Sequence, residues 1–579
     1  MKKLIAFLLT LIMSISLLAG ITLAEDRPVL TIGDIDPDRD YDGQRMWRLV
    51  EDRLGCKIQF IPLPTDTYAA VLASGDLPDI VHPNNNLSAI LEADLALDVT
   101  PYMEEYLPNL VNGPAAPTIE LYKQLLTNGE GFYFFPAGIG YNGVGYSRTF
   151  NTRGYVVRWD YYKELGCPEI HSEDDYLEVL KQMQANHPVT EDGYPTYLYG
   201  TSNFKGYDTA FRSYLCVDYW AAYQYQNNIF TNEIYDGFLD PDHSQWWASA
   251  KWINKLYNAG KDNGTFDMDL FTMTSDEFAV KRQRGQYMGL HNGNGDLLKD
   301  QIKKNPDSIS GYCTIPCDAS VYYTNVYQLM GNGSAYMGFI SKNTPHKELA
   351  LQFFNLMFDP DFLREVYLGE KGVTWDYDEN GKPYMTEFGI AEIEKGTKAE
   401  GDYFYNYNEY PNNTLGLRDN MPHPVDGEPL KFYANDRQYA IEHVTDNVAK
   451  DMCAYYEVDL PTDAFYKMGG MDFRNDCGEA ISALMTGLDA DQLRIIASAQ
   501  DVLESHQAEL WMAETEDEFN SIQKGMLEEI ESYGEPEVFK AYQEQWDAVA
   551  KIMGPLVQEA QAINGREPYT EADYSGYIK

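Results

Sequence analysis

The fold is decided by residues 71–82, Val71-Leu72-Ala73-Ser74-Gly75-Asp76-Leu77-Pro78-Asp79-Ile80-Val81-His82. Apolar residues before and within this stretch predict one buried face of a helix from Asp66 to Ser74. Gly75 stands where a helix C-terminus favours a left-handed residue, and Pro78 prevents the helix from continuing. The helix, the tight turn and the short apolar strand Ile80-Val81 predict half of a doubly wound α/β unit. In such units ligands bind beyond the carboxyl ends of the strands.

The chain before this stretch predicts the other half of the unit. Val29–Ile32 and Lys57–Ile61 have the composition of strands, and a helix from Gln44 to Leu54 separates them. The Asp-rich loop 34–43 between the first strand and that helix allows two interpretations. Its carboxylates either cap the helix and face solvent, or form hydrogen bonds with the hydroxyl groups of a ligand.

Size and charge limit the classes of function. The chain has 579 residues, which is too long for one core, so at least two lobes are expected. Its 90 acidic and 44 basic residues make nucleic acid and anionic membranes unsuitable partners for the bulk surface. The 45 Tyr and 9 Trp residues supply aromatic faces that can stack on the apolar faces of sugar rings, although most are expected in the core.

The cysteine spacing and the search for catalytic motifs indicate no specific chemical activity. The seven cysteines are an odd number, so at least one thiol of a secreted chain would be free or intermolecular, and the pairing is left open. Cys313 and Cys317 flank a predicted strand, which would hold them about 13 Å apart, too far for a disulfide. The sequence has no zinc spacing and no nucleophile-elbow, zinc-protease or P-loop motif, so no cofactor and no enzymatic activity are predicted.

Two short patterns have competing interpretations. Residues 138–143 match a dinucleotide-binding glycine pattern, but no amphipathic helix follows, which favours a flexible crossover between lobes. Asp376, Asp378, Asn380, Gly381 and Glu387 match a calcium-binding EF-hand loop. The alternative is a β-hairpin with a tight Asn-Gly turn, because the flanking residues have strand composition.

Several segments resemble one protein family in the expected order. Ala-Ser-Gly-Asp-Leu-Pro-Asp-Ile at 73–80 resembles a hallmark of the extracellular solute-binding proteins of ABC importers, in the sugar-binding family 1 group. The further segments that resemble this family are Leu97–Asn109, Gly131–Pro136, Val156–Gly166, Asn254–Gly260 and Pro345–Phe354.

The resemblance implies a two-lobe α/β fold of the type II periplasmic-binding class, with a mixed sheet flanked by helices in each lobe and a helical C-terminal part. The implied first lobe comprises residues 25–138 and 315–341. The implied second lobe comprises 146–310 and 345–579, with crossovers near 139–145, 311–314 and 342–344. A ligand would bind between the lobes and close them by hinge motion.

The candidate ligand-binding residues come from strand ends and from the resemblance. His82, Asn84 and Asn85 follow the strand Ile80-Val81, so they are expected to face the cleft; the alternative is a capped surface loop, since Asn is a common turn former. Trp375 is either the stacking platform for a sugar ring that the resemblance implies or a hairpin side chain that packs on the second lobe. The resemblance adds residues from the Asp-rich loop, the crossover and the second lobe: Asp38, Arg39, Tyr141, Arg158, Tyr207 and Trp220.

The N-terminus predicts export. Lys2 and Lys3 precede an apolar run, and the small-residue site at Thr22–Ala24 predicts a signal peptide over residues 1–24. Many family members carry a cysteine at this point for lipid attachment, whereas the nearest cysteine here is Cys56, which argues against a lipid anchor. The expected protein is a secreted or periplasmic monomer.

The expected partners are an oligosaccharide and the membrane permease of an ABC importer. Two alternatives stay open from the sequence, a secreted carbohydrate-active hydrolase and a carbohydrate sensor or adhesin without a transport role. The sequence does not identify the sugar.

Overall fold

The computed structural model describes residues 27–34, 44–63, 68–82, 87–127, 129–141, 155–201, 241, 245–290, 294–316, 322–325, 327–328, 337–394, 416–435, 441, 446–468, 471–474 and 488–563. Sixteen strands lie in these ranges: β1 Val29–Asp34, β2 Lys57–Pro62, β3 Ile80–Val81, β4 Phe134–Phe135, β5 Gly140–Tyr141, β6 Val156–Arg158, β7 Tyr197–Gly200, β8 Tyr287–Leu290, β9 Asn294–Leu297, β10 Gly311–Thr314, β11 Tyr322–Asn325, β12 Tyr327–Gln328, β13 Gly338–Ile340, β14 Trp375–Tyr377, β15 Pro383–Met385 and β16 Met471–Arg474.

The α-helices of the described residues are α1 Arg45–Leu54, α2 Tyr68–Ser74, α3 Leu87–Glu92, α4 Met103–Tyr106, α5 Pro108–Val111, α6 Ala116–Thr127, α7 Trp159–Glu164, α8 Glu173–Asn186, α9 Gln245–Gly260, α10 Ser275–Gln283, α11 Lys299–Lys304, α12 Lys347–Met357, α13 Pro360–Leu368, α14 Glu387–Glu394, α15 Phe432–Asn435, α16 Asn447–Tyr456, α17 Pro461–Lys467, α18 Ala490–Trp511, α19 Glu516–Ser532 and α20 Glu535–Ile563. Short 3-10 helices lie at Thr100–Tyr102 and Met268–Phe271.

The stretch at residues 71–82 folds as its sequence predicts. Helix α2 ends at Ser74, and Gly75 adopts a left-handed φ of 69° while its N–H donates to the Leu72 carbonyl. Strand β3 then pairs in parallel with β1, Ile80 lying opposite Ile32, and in antiparallel with β13, Val81 lying opposite Phe339. The short strand therefore lies in the centre of a sheet and is buried on both faces.

Asp79 connects three segments of this sheet. One of its carboxylate oxygens accepts hydrogen bonds from the Thr31 N–H and hydroxyl at 2.8 and 2.7 Å. The other accepts the hydroxyl of Thr344, and the ring Nδ1 of His346 lies 3.3 Å from the oxygen that Thr31 contacts. Burial alone would raise the pKa of Asp79, but these hydrogen bonds outweigh it and hold the pKa below its ordinary value. The aspartate of the motif therefore joins β1, β3 and the segment before α12.

Two five-stranded sheets organise two hydrophobic cores. The first sheet has the order β2-β1-β3-β13-β4 and the second has the order β7-β8-β6-β10-β9. The first core draws its buried residues from 30–139 and 337–432, whereas the second draws them from 155–315 and 448–538. This arrangement confirms the predicted α/β architecture with a mixed sheet in each unit.

The predicted boundaries of the lobes need two corrections. A crossover is expected near 342–344, with the residues from 345 onward in the second lobe, but α12, α13 and the hairpin β14–β15 pack into the first core. The chain therefore stays in the first unit through 342–344, where the Lys342 N–H donates to the Leu95 carbonyl. Residues 311–314 are expected to be a crossover, but as β10 they pair with β6 and β9 inside the second sheet. Both errors have one cause. An amphipathic helix or an apolar strand predicts a buried face, but its sequence does not indicate which core covers that face.

Candidate functional site

The carboxyl ends of the first sheet's central strands meet at one edge. β1 is parallel to both β2 and β3, so the three strands end on the same side at Asp34, Pro62 and Val81. β13 is antiparallel to β3 and starts at this edge, and the carbonyl of Met337, just before it, lies beside His82. This is the edge at which an α/β sheet collects a ligand.

The chain leaves this edge at Ile139 and β5, whose backbone is hydrogen-bonded to two other segments. β5 pairs in antiparallel with β12, Tyr141 lying opposite Tyr327. On its other side Ile139 donates its N–H to the Gly416 carbonyl at 2.9 Å and accepts the Arg418 N–H at 2.8 Å. A Cβ on Gly140 would overlap the side-chain oxygen of Asn420, so a larger residue here would force Asn420 or Arg418 to shift. The crossover is therefore held between two other segments of the chain.

The chain enters and leaves the second sheet at one edge of that sheet. The chain enters at Tyr155 and leaves at Ile315, whose N–H donates to the Tyr155 carbonyl at 3.0 Å. Val156 lies opposite both Leu290 of β8 and Thr314 of β10, so β8 and β10 end where β6 begins. The entry and exit of the second unit are thus adjacent, as a hinge between two units requires.

His82 lies at the predicted edge but is buried. Only 1% of the residue is exposed, and its Nδ1 lies 3.0 Å from the Met337 carbonyl oxygen. The Tyr68 hydroxyl donates to the His82 backbone carbonyl. The expectation that His82 faces the cleft is wrong for the described structure, because its ring fastens β3 to the start of β13.

Arg158 belongs to the interior of the second unit. It is 3% exposed, pairs with Asp160 through Nε at 2.6 Å and donates from another nitrogen to the Gly285 carbonyl at 3.0 Å. Its guanidinium also lies 4.2 Å from the centre of the Tyr161 ring. These contacts satisfy the guanidinium inside the protein. Arg158 is therefore part of a structural ion pair, and its prediction as a ligand-binding residue is wrong.

Trp375 is a residue of the first core. It is 5% exposed, its indole N–H donates to the Gly369 carbonyl at 3.1 Å, and the Arg364 guanidinium lies 5.7 Å from its ring. Of the two sequence interpretations the packed hairpin is right, and it packs on the first unit rather than the second. The stacking-platform interpretation is wrong.

The remaining candidates fall where side chains are not described. The backbone of Tyr141 lies in the crossover strand β5, which keeps it a candidate. The other predicted ligand residues lie outside the described residues: Asp38, Arg39, Asn84, Asn85, Tyr207 and Trp220.

The EF-hand pattern forms a hairpin. β14 and β15 are antiparallel with Asp376 opposite Tyr384, and Gly381 adopts a left-handed φ of 79°. One oxygen of Asp378 accepts the N–H groups of Asn380 and Lys382 at 2.9 and 2.8 Å. These hydrogen bonds, that of Lys382 first, lower the pKa of Asp378. The hairpin interpretation is confirmed, since the carboxylate serves the turn.

Two residues near the crossover are not predicted by the sequence. The half-buried Arg418 and the buried Asn420 lie against Gly140, although 280 residues separate Asn420 from it. No motif or periodicity in this segment indicates such a contact. Only a tertiary pairing brings the segment to the crossover.

Within the described ranges, no group of three His, Cys, Asp or Glu side chains could hold a metal ion. Among the same residues, no helix has both the length and the apolar character needed to cross a membrane.

Comparisons with known proteins agree with this architecture. The family model described as bacterial extracellular solute-binding protein matches residues 42–362, more than half of the chain. No curated protein sequence matches the chain.

Solved structures resemble it over nearly their whole length. An HMO binding ABC-transporter associated solute binding protein from Bifidobacterium longum infantis is 17% identical, with a TM-score of 0.55 over 90% of this chain and 99% of that one. The substrate binding protein FusA from S. pneumoniae, in complex with kestose, is 16% identical, with a TM-score of 0.51 over 90% and 99%. An N-glycan transport solute binding protein from Streptococcus pneumoniae is 14% identical, with a TM-score of 0.50 over 91% and 99%. These likenesses confirm the predicted fold.

Proposed function

Because the chain belongs to the family of bacterial extracellular solute-binding proteins, we propose that it binds an oligosaccharide between its two α/β units. In this proposal it delivers the sugar to the membrane permease of an ABC importer. The family consists of binding proteins rather than enzymes, and the proposed role includes no catalytic step.

One observation carries the proposal: the chain leaves the first sheet at the edge where β1, β2 and β3 end, and it enters and leaves the second sheet at a single edge. The first sheet ends β1, β2 and β3 at one edge, and the second sheet has its entry and exit at Tyr155 and Ile315. A ligand between these edges would contact both units, so its binding energy favours the closed arrangement.

The proposed ligand class rests on chemistry and on the neighbours. The three neighbours are described as binding or transporting HMO, kestose and N-glycan, and all of these are oligosaccharides. A chain with 45 Tyr and 9 Trp residues can supply both ring faces and hydroxyl donors to a polyhydroxyl ligand. We propose Tyr141, in the crossover strand, as one contact.

The extents of the two lobes follow the cores. We propose that the first lobe contains residues 27–139 and 337–432 and that the second contains 155–315 and 448–538. The remaining segments include the crossovers, which absorb the backbone changes of closure.

A thermal-shift screen tests the proposal. The purified protein is heated with a panel of neutral and acidic oligosaccharides of defined linkage, with their monosaccharides as controls. A ligand at 100 times its Kd stabilises the folded state by about 2.7 kcal/mol, which raises the melting temperature. We expect at least one oligosaccharide, and not its monosaccharides, to do so.

Mass spectrometry of the recovered ligand separates transport from hydrolysis. A binding protein returns the oligosaccharide intact after overnight incubation, whereas a hydrolase releases shorter products. Shorter products would overturn the proposal, and so would a panel in which no oligosaccharide raises the melting temperature.

A further inference from the structure

The last helix of the described chain contacts both hydrophobic cores. Val538, in the first turn of α20, is 2% exposed and belongs to the second core. Tyr542 and Val549, further along the same helix, pack against the first core. The helix touches α18 and α19 of the second unit and α6 of the first. It therefore connects the two units at a fourth place.

The other three connections differ from α20 in stiffness. The chain passes between the cores within residues 139–155, 315–337 and 432–448. The described parts of the first two include the two-residue strands β5 and β12. Backbone of this kind can change φ and ψ at a few residues, which is how hinges operate. Pro536 and Pro555 of α20 lie outside the segment from Val538 to Val549, and a helical segment without a proline or a π-bulge resists sharp bending. The anchors Val538 and Tyr542 are only about 6 Å apart along its axis.

This geometry makes α20 a constraint on the angle between the units. If α20 moves rigidly with α18 and α19, any rotation of the second unit has to shift Tyr542 and Val549 across the surface of the first core. Tyr542 is half-buried against the first core, and this burial raises the pKa of its hydroxyl to about 12, so moving it would expose apolar surface to water. Rotation of the units away from their resting angle would therefore disrupt the contact with α6 and cost free energy.

We propose that α20 is a clamp: its contact with α6 and the packing of Tyr542 and Val549 on the first core set the resting angle between the two units. The passive alternative is that the helix end covers apolar surface of the first core while the crossovers alone set the angle. The two ideas make different forecasts for ligand-free protein, so the proposal does not depend on the oligosaccharide assignment.

A distance measurement on the ligand-free, full-length protein tests the clamp. Spin labels on non-canonical amino acids would replace Asn112 in the first unit and the exposed Lys303 in the second, which leaves the native cysteines in place. Double electron–electron resonance then gives the distribution of distances between the units. For Tyr542→Ala with Val549→Ala we expect a distribution roughly twice as wide as that of the parent, because the minor arrangements become populated.

Two matched variants complete the design. Tyr533→Ala removes an equally large but exposed side chain just before α20 and should leave the distribution unchanged. Tyr542→Phe keeps the half-buried ring and should give the same narrow distribution as the parent. It also provides a well-folded comparison if the double alanine variant loses stability.

The outcomes separate the alternatives. A double alanine variant that retains the far-ultraviolet circular dichroism of the parent and the same distance distribution would overturn the clamp. Equal broadening in Tyr533→Ala would also overturn it, since the effect would then not come from the α6 contact. A broadened distribution in a protein that binds no oligosaccharide would leave the clamp standing and remove only the proposed ligand.

Discussion

Trp375 shows at the scale of one residue how burial decides a role. Its ring lies among Tyr377, Phe432 and the Arg364 guanidinium, and its N–H is satisfied by a backbone carbonyl. Truncating a buried aromatic side chain leaves a cavity, so Trp375→Ala should lower the free energy of unfolding by about 3–5 kcal/mol. Chemical denaturation followed by circular dichroism would measure this loss.

The control for this prediction lies on the same hairpin. Tyr384 is 46% exposed, and Tyr384→Ala should change the free energy of unfolding by no more than about 0.5 kcal/mol. If Trp375→Ala is as mild as Tyr384→Ala, the tryptophan is not a core residue.

Asp79 makes a pH-dependent contribution. Its pKa is lowered in the folded protein, so its ionised form stabilises the fold above the unfolded pKa of about 3.9. That stabilisation is lost as the pH falls towards the folded pKa. Asp79→Asn should therefore cost about 1.5–3 kcal/mol at pH 7, the range for hydrogen bonds to a charged group, and progressively less below pH 4.

Unfolding curves at several pH values would check the sign of this effect. Asp76, exposed on the same turn, is the control, and Asp76→Asn should follow the parent at every pH. A cost for Asp79→Asn that stays constant down to pH 3 would show that the charge of Asp79 contributes nothing.

At the scale of elements, the segment 416–430 joins α13, the hairpin β14–β15 and the crossover. Arg364 of α13 is fully buried and forms a two-point ion pair with Asp426, whose second contact measures 3.1 Å. The Tyr377 hydroxyl of the hairpin donates to the same carboxylate at 2.9 Å. Burial would raise the pKa of Asp426, but the bonds from Arg364 and its neighbours hold it low.

Breaking this ion pair should be costly. Asp426→Ala leaves the Arg364 charge buried without its carboxylate, which should lower the free energy of unfolding by about 3–5 kcal/mol. Asp361, whose side chain is 89% exposed beside His423, is the matched control. Asp361→Ala should cost no more than about 1 kcal/mol in the same denaturation experiment. Equal effects of the two variants would contradict the importance given to the buried pair.

Alanine substitutions at two glycines, one in the crossover and one in a helix, should change the stability of the protein in opposite directions. Gly140→Ala places a Cβ against Asn420 and Arg418 and should destabilise the protein by about 1–3 kcal/mol, as overpacking does. Gly525→Ala in α19 adds a Cβ that meets open space in a helix and should stabilise by about 0.5–1 kcal/mol. Thermal unfolding of both variants would compare them, and stabilisation by Gly140→Ala would show that the crossover tolerates a side chain.

At the scale of the whole molecule, two cores joined by crossovers predict a change of shape on binding. A ligand that contacts both units favours the closed arrangement, so the radius of gyration should decrease when an oligosaccharide binds. Small-angle X-ray scattering with and without the best stabilising sugar of the thermal-shift screen would measure it. An unchanged radius at saturating sugar would place the ligand on one unit instead of between two.

Much of this molecule follows from local sequence. The turn at Gly75, the end of α1 at Gly55 and the hairpin at Gly381 adopt the left-handed conformations that their positions predict. The motif at 73–80 and the segments that accompany it identify the family and the α/β class. These features depend on neighbours a few residues away, so the chain itself encodes them.

The tertiary structure alone decided which surfaces the chain buries together. Helix α12 shows an apolar face in its sequence, but either core could have covered that face, and the first one does. His82, Arg158 and Trp375 have the polar or aromatic chemistry of ligand contacts, yet partners up to 255 residues away bury them. Burial and pairing depend on contacts distant in the chain, and for that physical reason the assignment of these three side chains had to come from the folded molecule.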